Sequence, residues 1–168
     1  MPLKKLLTSP AYPFALASMA LAIVAAAVLL QKYSHLHPCP LCIVQRVLFI
    51  GIAVANLAGA WRRLRVPMAL LGALVAVCGI ATAGWHVYVQ AHPLDFTTCT
   101  PEDILYIAAN FPFQKIFPLL LEGAGQCFFV EWSFLGVTLP QMSVAGFTLL
   151  GVLSALRLKR PARVPTPA

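Results

Sequence analysis

Long apolar runs alternate with short polar breaks along this chain. Ala11 to Leu30 carries no charge over twenty residues, about the length a helix needs to cross a bilayer. A second run extends from Ile43 to Trp61 and is interrupted by Gln45, Arg46 and Asn56. A third, Val66 to Val89, contains Cys78, Trp85 and His86. A fourth, Leu139 to Leu156, is the least regular, because it begins with Pro140 and Gln141. Each run reads as a membrane-spanning helix (11–30, 43–61, 66–89 and 139–156). Residues 1–168 then form one integral membrane domain, an all-α four-transmembrane-helix bundle. Loops 31–42 and 90–141 lie on one side of it. Within the long loop, Phe111 to Leu121 is rich in Phe, Ile and Leu and reads as a short helix lying in the membrane interface.

Lys4 and Lys5 ahead of the first run, with Ala25-Ala26-Ala27 inside it, also fit a cleavable signal peptide. The run is long for such a segment and further spans follow, so a retained signal anchor is expected. Composition agrees with a membrane protein. The chain is 60% hydrophobic and 10% charged, with a mean hydropathy of +0.84, whereas soluble domains are roughly a quarter charged.

A net charge of +7 first suggests nucleic acid, but the positions of the bases point elsewhere. Nine of the twelve sit at the N-terminus, in the 62–65 turn and at the C-terminus, which four spans place on one side. Residues 90–141 hold all five acids and only Lys115 as a base. The positive-inside rule then puts both termini in the cytoplasm, and no nucleic-acid partner is expected.

That orientation places Cys39, Cys42, Cys99 and Cys127 on the outer side, the periplasm of a bacterium or the lumen of the endoplasmic reticulum, where disulfides persist. Cys78 lies alone in the third run and reads as a small buried apolar residue. Four outer cysteines allow three pairings, the simplest being Cys39–Cys42 with Cys99–Cys127. Two structural staples are one reading, and a bridge closing the 99–127 loop would contribute about 3–4 kcal/mol. A zinc site of four thiolates is another, but the second pair lacks the short ligand spacing of such sites, and no metal is expected. The third reading is redox chemistry. Cys39-Pro40-Leu41-Cys42 has the two-residue spacer of reactive dithiols, at a point where a loop turns into a helix whose N-terminus favours a thiolate. Arg46 lies one turn beyond Cys42 on the same face. It could snorkel to the interface, or it could face the bundle interior as a functional cation. His86 lies at a similar depth, near the outer end of the third run.

The residues resemble a known family. Pro38-Cys39-Pro40-Leu41-Cys42 with Gln45-Arg46, then Thr98-Cys99, Cys127, and Glu131-Trp132-Ser133-Phe134-Leu135-Gly136 before Pro140-Gln141 are similar to DsbB, the bacterial inner-membrane disulfide-generating proteins. The resemblance covers nearly the whole chain. It implies a protein-dithiol:quinone oxidoreductase that reoxidises a periplasmic DsbA-type thiol oxidase and feeds electrons to the membrane quinone pool and respiratory chain. The quinone would be ubiquinone, with menaquinone as the alternative. By the same resemblance, Cys99 would take the attack of reduced DsbA and Cys127 would link the outer pair to Cys39. Cys42 would engage the quinone as an adduct or charge-transfer complex. Arg46 and His86 would lie at the quinone, with His92 a rival for His86. Two alternatives stay open: a relative of the vitamin K epoxide reductases, and a non-enzymatic membrane scaffold with structural disulfides.

Overall fold

The computed structural model describes residues 9, 11–35, 38–92, 127, 130 and 132–158. Cys99 and the interfacial helix expected at 111–121 lie outside the described residues.

Four helices are long and apolar enough to cross a membrane: α1 (Tyr12–Ser34), α2 (Pro40–Ala58), α3 (Arg65–Ala91) and α4 (Leu139–Leu156). A single 3-10 turn, Arg62–Leu64, joins α2 to α3. α3 packs against both α2 and α4, and α1 packs against α2. The all-α four-span bundle read from the sequence is the observed fold.

Local chemistry sets the helix starts. α2 begins earlier than hydropathy alone suggests. Cys39 is its N-cap in extended conformation, and Pro40 takes the first helical position, where a missing N–H costs nothing. α4 starts in the same way. Pro140 lies in its first turn, and Gln141 Oε1 accepts the Thr138 N–H at 3.0 Å. The residues that made this run look irregular are therefore its start signal. α1 runs past Leu30 and ends at His35, which adopts the left-handed conformation at φ 51°.

The hydropathy pattern did not predict the small hairpin before α4. β1 (Ser133–Phe134) pairs antiparallel with β2 (Val137–Thr138), Ser133 opposite Thr138 and Phe134 opposite Val137. Leu135 and Gly136 turn the chain with φ of 52° and 81°. Two successive positive φ values suit a two-residue hairpin, but Leu-Gly lacks the Asn-Gly or Asp-Gly signature that would have announced it.

Small residues line much of the interior, around the large buried side chains Phe49, Ile52, Phe147 and Leu150. Ala20, Ala53, Ala76 and Ala83 are buried, while Leu21, Val54, Leu74, Val77 and Val152 face outward. Close approach of helices through small residues is the usual packing solution where lipid is the solvent. At the α3–α4 seam the Phe147 ring lies over Gly79, where an added Cβ would overlap the ring. The same ring stacks on Phe49 of α2 at 3.8 Å between centroids, locking three helices together.

The end of the bundle away from Cys39 is closed by polar bonds. Arg157 is 4% exposed and donates to Asn56 Oδ1 at 3.1 Å and to the Gly59 carbonyl at 2.8 Å. Asn56 Nδ2 donates in turn to Ser154 Oγ at 3.4 Å and to the Ile52 carbonyl at 2.9 Å. Tyr12 Oη donates to the Leu153 carbonyl at 3.1 Å, tying α1 to α4. Arg157 thus serves as a cation on the C-terminal end of α2, besides being one of the clustered bases.

Candidate functional site

The other end of the bundle gathers the chemistry around Cys39. As N-cap of α2, its sulfur accepts the Cys42 N–H at 3.4 Å, so the Cys39 side chain itself satisfies one of the helix's orphan donors. The Cys42 Sγ lies 3.2 Å from the Cys39 Sγ. His86, from α3, brings Nε2 to 3.6 Å from the same sulfur. The Cys127 Sγ arrives from the long loop. The ligand atoms of Cys39, His86 and Cys127 all lie within 4.8 Å of one another. Cys39 is therefore the shared neighbour of two other thiols and an imidazole.

Electrostatics differ across this cluster. Hydrogen bonding to Cys127, then to Cys42, together with burial, pushes the Cys39 thiol well above its ordinary range, so Cys39 keeps its proton. The hydrogen bond it gives lowers the Cys127 thiol to about 7. Burial opposes that change, while the Leu41 backbone N–H and His86 reinforce it. Cys127 is thus the readily ionised thiol of the pair, and the ionised form is the nucleophile in disulfide exchange.

Arg46 points into the bundle. It is 7% exposed and its Nη1 donates to Gln31 Oε1 at 2.8 Å. Gln31 escaped sequence reasoning because α1 was expected to end at Leu30. With α1 continuing to Ser34, residue 31 stays on the helix opposite Arg46. Gln45 was legible only as a polar interruption, but its Nε2 lies 3.2 Å from His86 Nδ1 and fixes the ring. His86 is 2% exposed. His92, its rival, is exposed at the end of α3, with its ring nitrogen 3.1 Å from the Tyr88 carbonyl. The two histidines occupy different environments, and only His86 contacts the thiols among the described residues. The expectation that Cys78 is buried is corrected. It is exposed on α3, because its neighbours Ala76 and Gly79 take the inward face.

These residues line a partly open cleft of ≈ 100 Å³. Ile23, Val24, Ala27 and Phe49 supply apolar walls, and Gln31, Gln45, Arg46, His86 and Cys42 supply the polar lining. The sequence reading expected no metal. The fold nevertheless assembles three metal-competent side chains that no spacing along the chain announces.

A multi-pass bundle that gathers thiols at one end of its helices defines a membrane disulfide-forming protein. The family model "Disulfide bond formation protein DsbB" matches residues 10–157. The chain belongs to the DsbB family of disulfide bond formation proteins. It is 36% identical over 134 residues to disulfide bond formation protein B of Nitrosococcus oceani, covering 77% of this chain and 79% of that one. Its identity to the protein of the same name from Stutzerimonas stutzeri is 34% over 160 residues, 92% of this chain and 98% of the relative. With that of an Acidovorax strain it is 36% over 167 residues, covering 93% and 91%.

Proposed function

We propose that this protein, in the inner membrane of a bacterium with both termini cytoplasmic, takes electrons from a periplasmic DsbA-type thiol oxidase and passes them to a membrane quinone. The observation that carries this reading is the position of Cys39, in contact with Cys42 on one side and beside Cys127 on the other. Cys99 receives the attack of the reduced partner and is released from Cys127. The Cys127 thiolate then attacks the Cys39 sulfur of a Cys39–Cys42 disulfide. A Cys127–Cys39 bond forms, the Cys39–Cys42 bond breaks, and Cys42 leaves as a thiolate. The partner, joined to Cys99 as a mixed disulfide, is released oxidised when its second thiol attacks its own bonded sulfur and displaces Cys99, so the two electrons taken from it then rest on the Cys42 and Cys99 thiols.

The cleft residues fit a quinone. Its largely apolar walls suit the faces of a ring, and Arg46, Gln45 and His86 supply polar groups to its lining. A bound quinone supplies a two-electron, two-proton acceptor. The protein's own part is to hold Cys42 at the wall, to offset negative charge with Arg46, and to keep the His86 imidazole beside Cys39. DsbA-type oxidases are poised near −120 mV, so reoxidising one needs a stronger acceptor than ordinary thiol pools.

The test is steady-state kinetics on well-folded protein, varying quinone and reduced DsbA separately. Arg46→Ala is expected to raise KM for quinone and lower kcat by about 10²–10³-fold, the usual effect of losing one such donor, with KM for DsbA unchanged. Arg46→Lys keeps the charge but not the planar donor fork and should retain part of the rate. Wild-type quinone kinetics in Arg46→Ala would remove the cleft from the reaction.

A further inference from the structure

We propose that the fully reduced protein binds one thiophilic divalent cation of the zinc type between Cys39, Cys127 and His86, with Cys42 as the fourth donor. The inference goes beyond the quinone reading and does not depend on it. Zinc takes thiolate and imidazole donors in a tetrahedron, with bonds of about 2.3 Å to sulfur and about 2.0–2.1 Å to nitrogen, which separates neighbouring donors by about 3.5–3.8 Å. Cys39 Sγ lies 3.6 Å from His86 Nε2 and 3.2 Å from Cys42 Sγ. Cys127 completes a set whose ligand atoms are at most 4.8 Å apart, so about 1 Å of side-chain movement closes the tetrahedron.

The surroundings suit a metal. Cys39 and His86 are 5% and 2% exposed, so the donors are already withdrawn from water. Gln45, 4% exposed, sits 3.2 Å from His86 Nδ1. When Nε2 ligates a cation, Nδ1 carries the ring proton, and a turn of the Gln45 amide places Oε1 there to accept it. This is the outer-shell hydrogen bond that metal-ligating histidines usually make. Binding changes no oxidation state; the thiols that become ligands lose their protons to solvent.

The site is gated by redox state. A disulfide from Cys39 to either Cys42 or Cys127 removes two thiolates at once and leaves too few donors. The cation therefore selects the reduced protein, ties up Cys39 and Cys127, and stalls thiol exchange until it is removed.

The experiment is anaerobic titration of the purified full-length protein with Co²⁺, read by its visible bands and its sulfur-to-metal charge-transfer absorption, followed by displacement with Zn²⁺. Reduced wild-type protein should bind one Co²⁺ per chain with a tetrahedral thiolate spectrum, and the oxidised protein should show none. Gln45→Leu should weaken binding about 10–100-fold, and His86→Ala and Cys127→Ala by at least tenfold, while Cys78→Ser and Cys99→Ser should bind as wild type. Absence of the charge-transfer band in reduced wild-type protein would overturn the proposal. So would loss of the band in Cys99→Ser with retention in His86→Ala, since the ligands would then be the four outer cysteines.

Discussion

The Cys39 sulfur sits where α2 begins and where unpaired amides concentrate positive charge. Hydrogen bonding with Cys39 is the main cause that lowers the Cys127 thiol to about 7. In reduced, metal-free protein the alkylation rate of Cys127 should therefore rise with pH through a midpoint near 7 and level off above it. Cys39 should alkylate last. Cys39→Ala removes the donor and should move the Cys127 midpoint upward, toward the ordinary thiol value of about 8.5. Mass spectrometry of cysteine labelling against pH reads both; an unmoved midpoint would mean that Cys39 does not hold the Cys127 thiolate. Cys39, Cys42 and Arg46 were legible from spacing, because a dithiol and a cation one turn on are local facts along one helix. The contacts of Cys39 with His86 and Cys127 were not. They join residues 47 and 88 positions apart in sequence, which only packing brings together.

Among the elements, the α3–α4 seam depends most on side-chain size. Gly79 lies under the Phe147 ring, and Gly151 faces Ala76 with no room for a methyl group unless the backbone shifts. Gly79→Val should push the helices apart and cost about 1–3 kcal/mol or more, as overpacked interiors do. Gly84→Ala, where a Cβ meets nothing within 4 Å, should be neutral. Thermal unfolding in detergent compares the two variants, and equal midpoints would refute the packing. The four helices were legible because a long, nearly uncharged apolar run can satisfy its own backbone in lipid only by coiling into a helix. Their starts were less so: Pro140 and Gln141 read as interruptions until Thr138 and Gln141 close the α4 cap. The hairpin at 133–138 was invisible because its two short strands carry almost no alternation and its turn is Leu-Gly.

On the scale of the whole molecule, the two ends of the bundle differ in kind. One end holds Cys39, Cys42 and Cys127. The other is closed by Arg157, Asn56, Ser154 and the Gly59 carbonyl, beside the basic 62–65 turn. The charge bias predicts that this second end faces the cytoplasm. Reporter fusions after Ala60 and after Gly136 should then report opposite compartments, cytoplasmic and periplasmic respectively. The same compartment for both would break the four-span topology. The charge count predicts this orientation from the chain alone, but it treats Arg157 as one base among nine. The buried bonds of Arg157 add a structural task that no count of charges reveals.

The proposed passage of electrons from the Cys39–Cys42 dithiol to a quinone is tested most directly in a single turnover. Fully reduced protein, free of metal and of partner, is mixed anaerobically with ubiquinone, and quinol formed is counted against thiols lost. One quinol per two thiols is expected, with Cys42→Ser forming none. Thiols that stay reduced in the presence of quinone, or quinol that still forms in Cys42→Ser, would contradict the role given to Cys42 and its cleft.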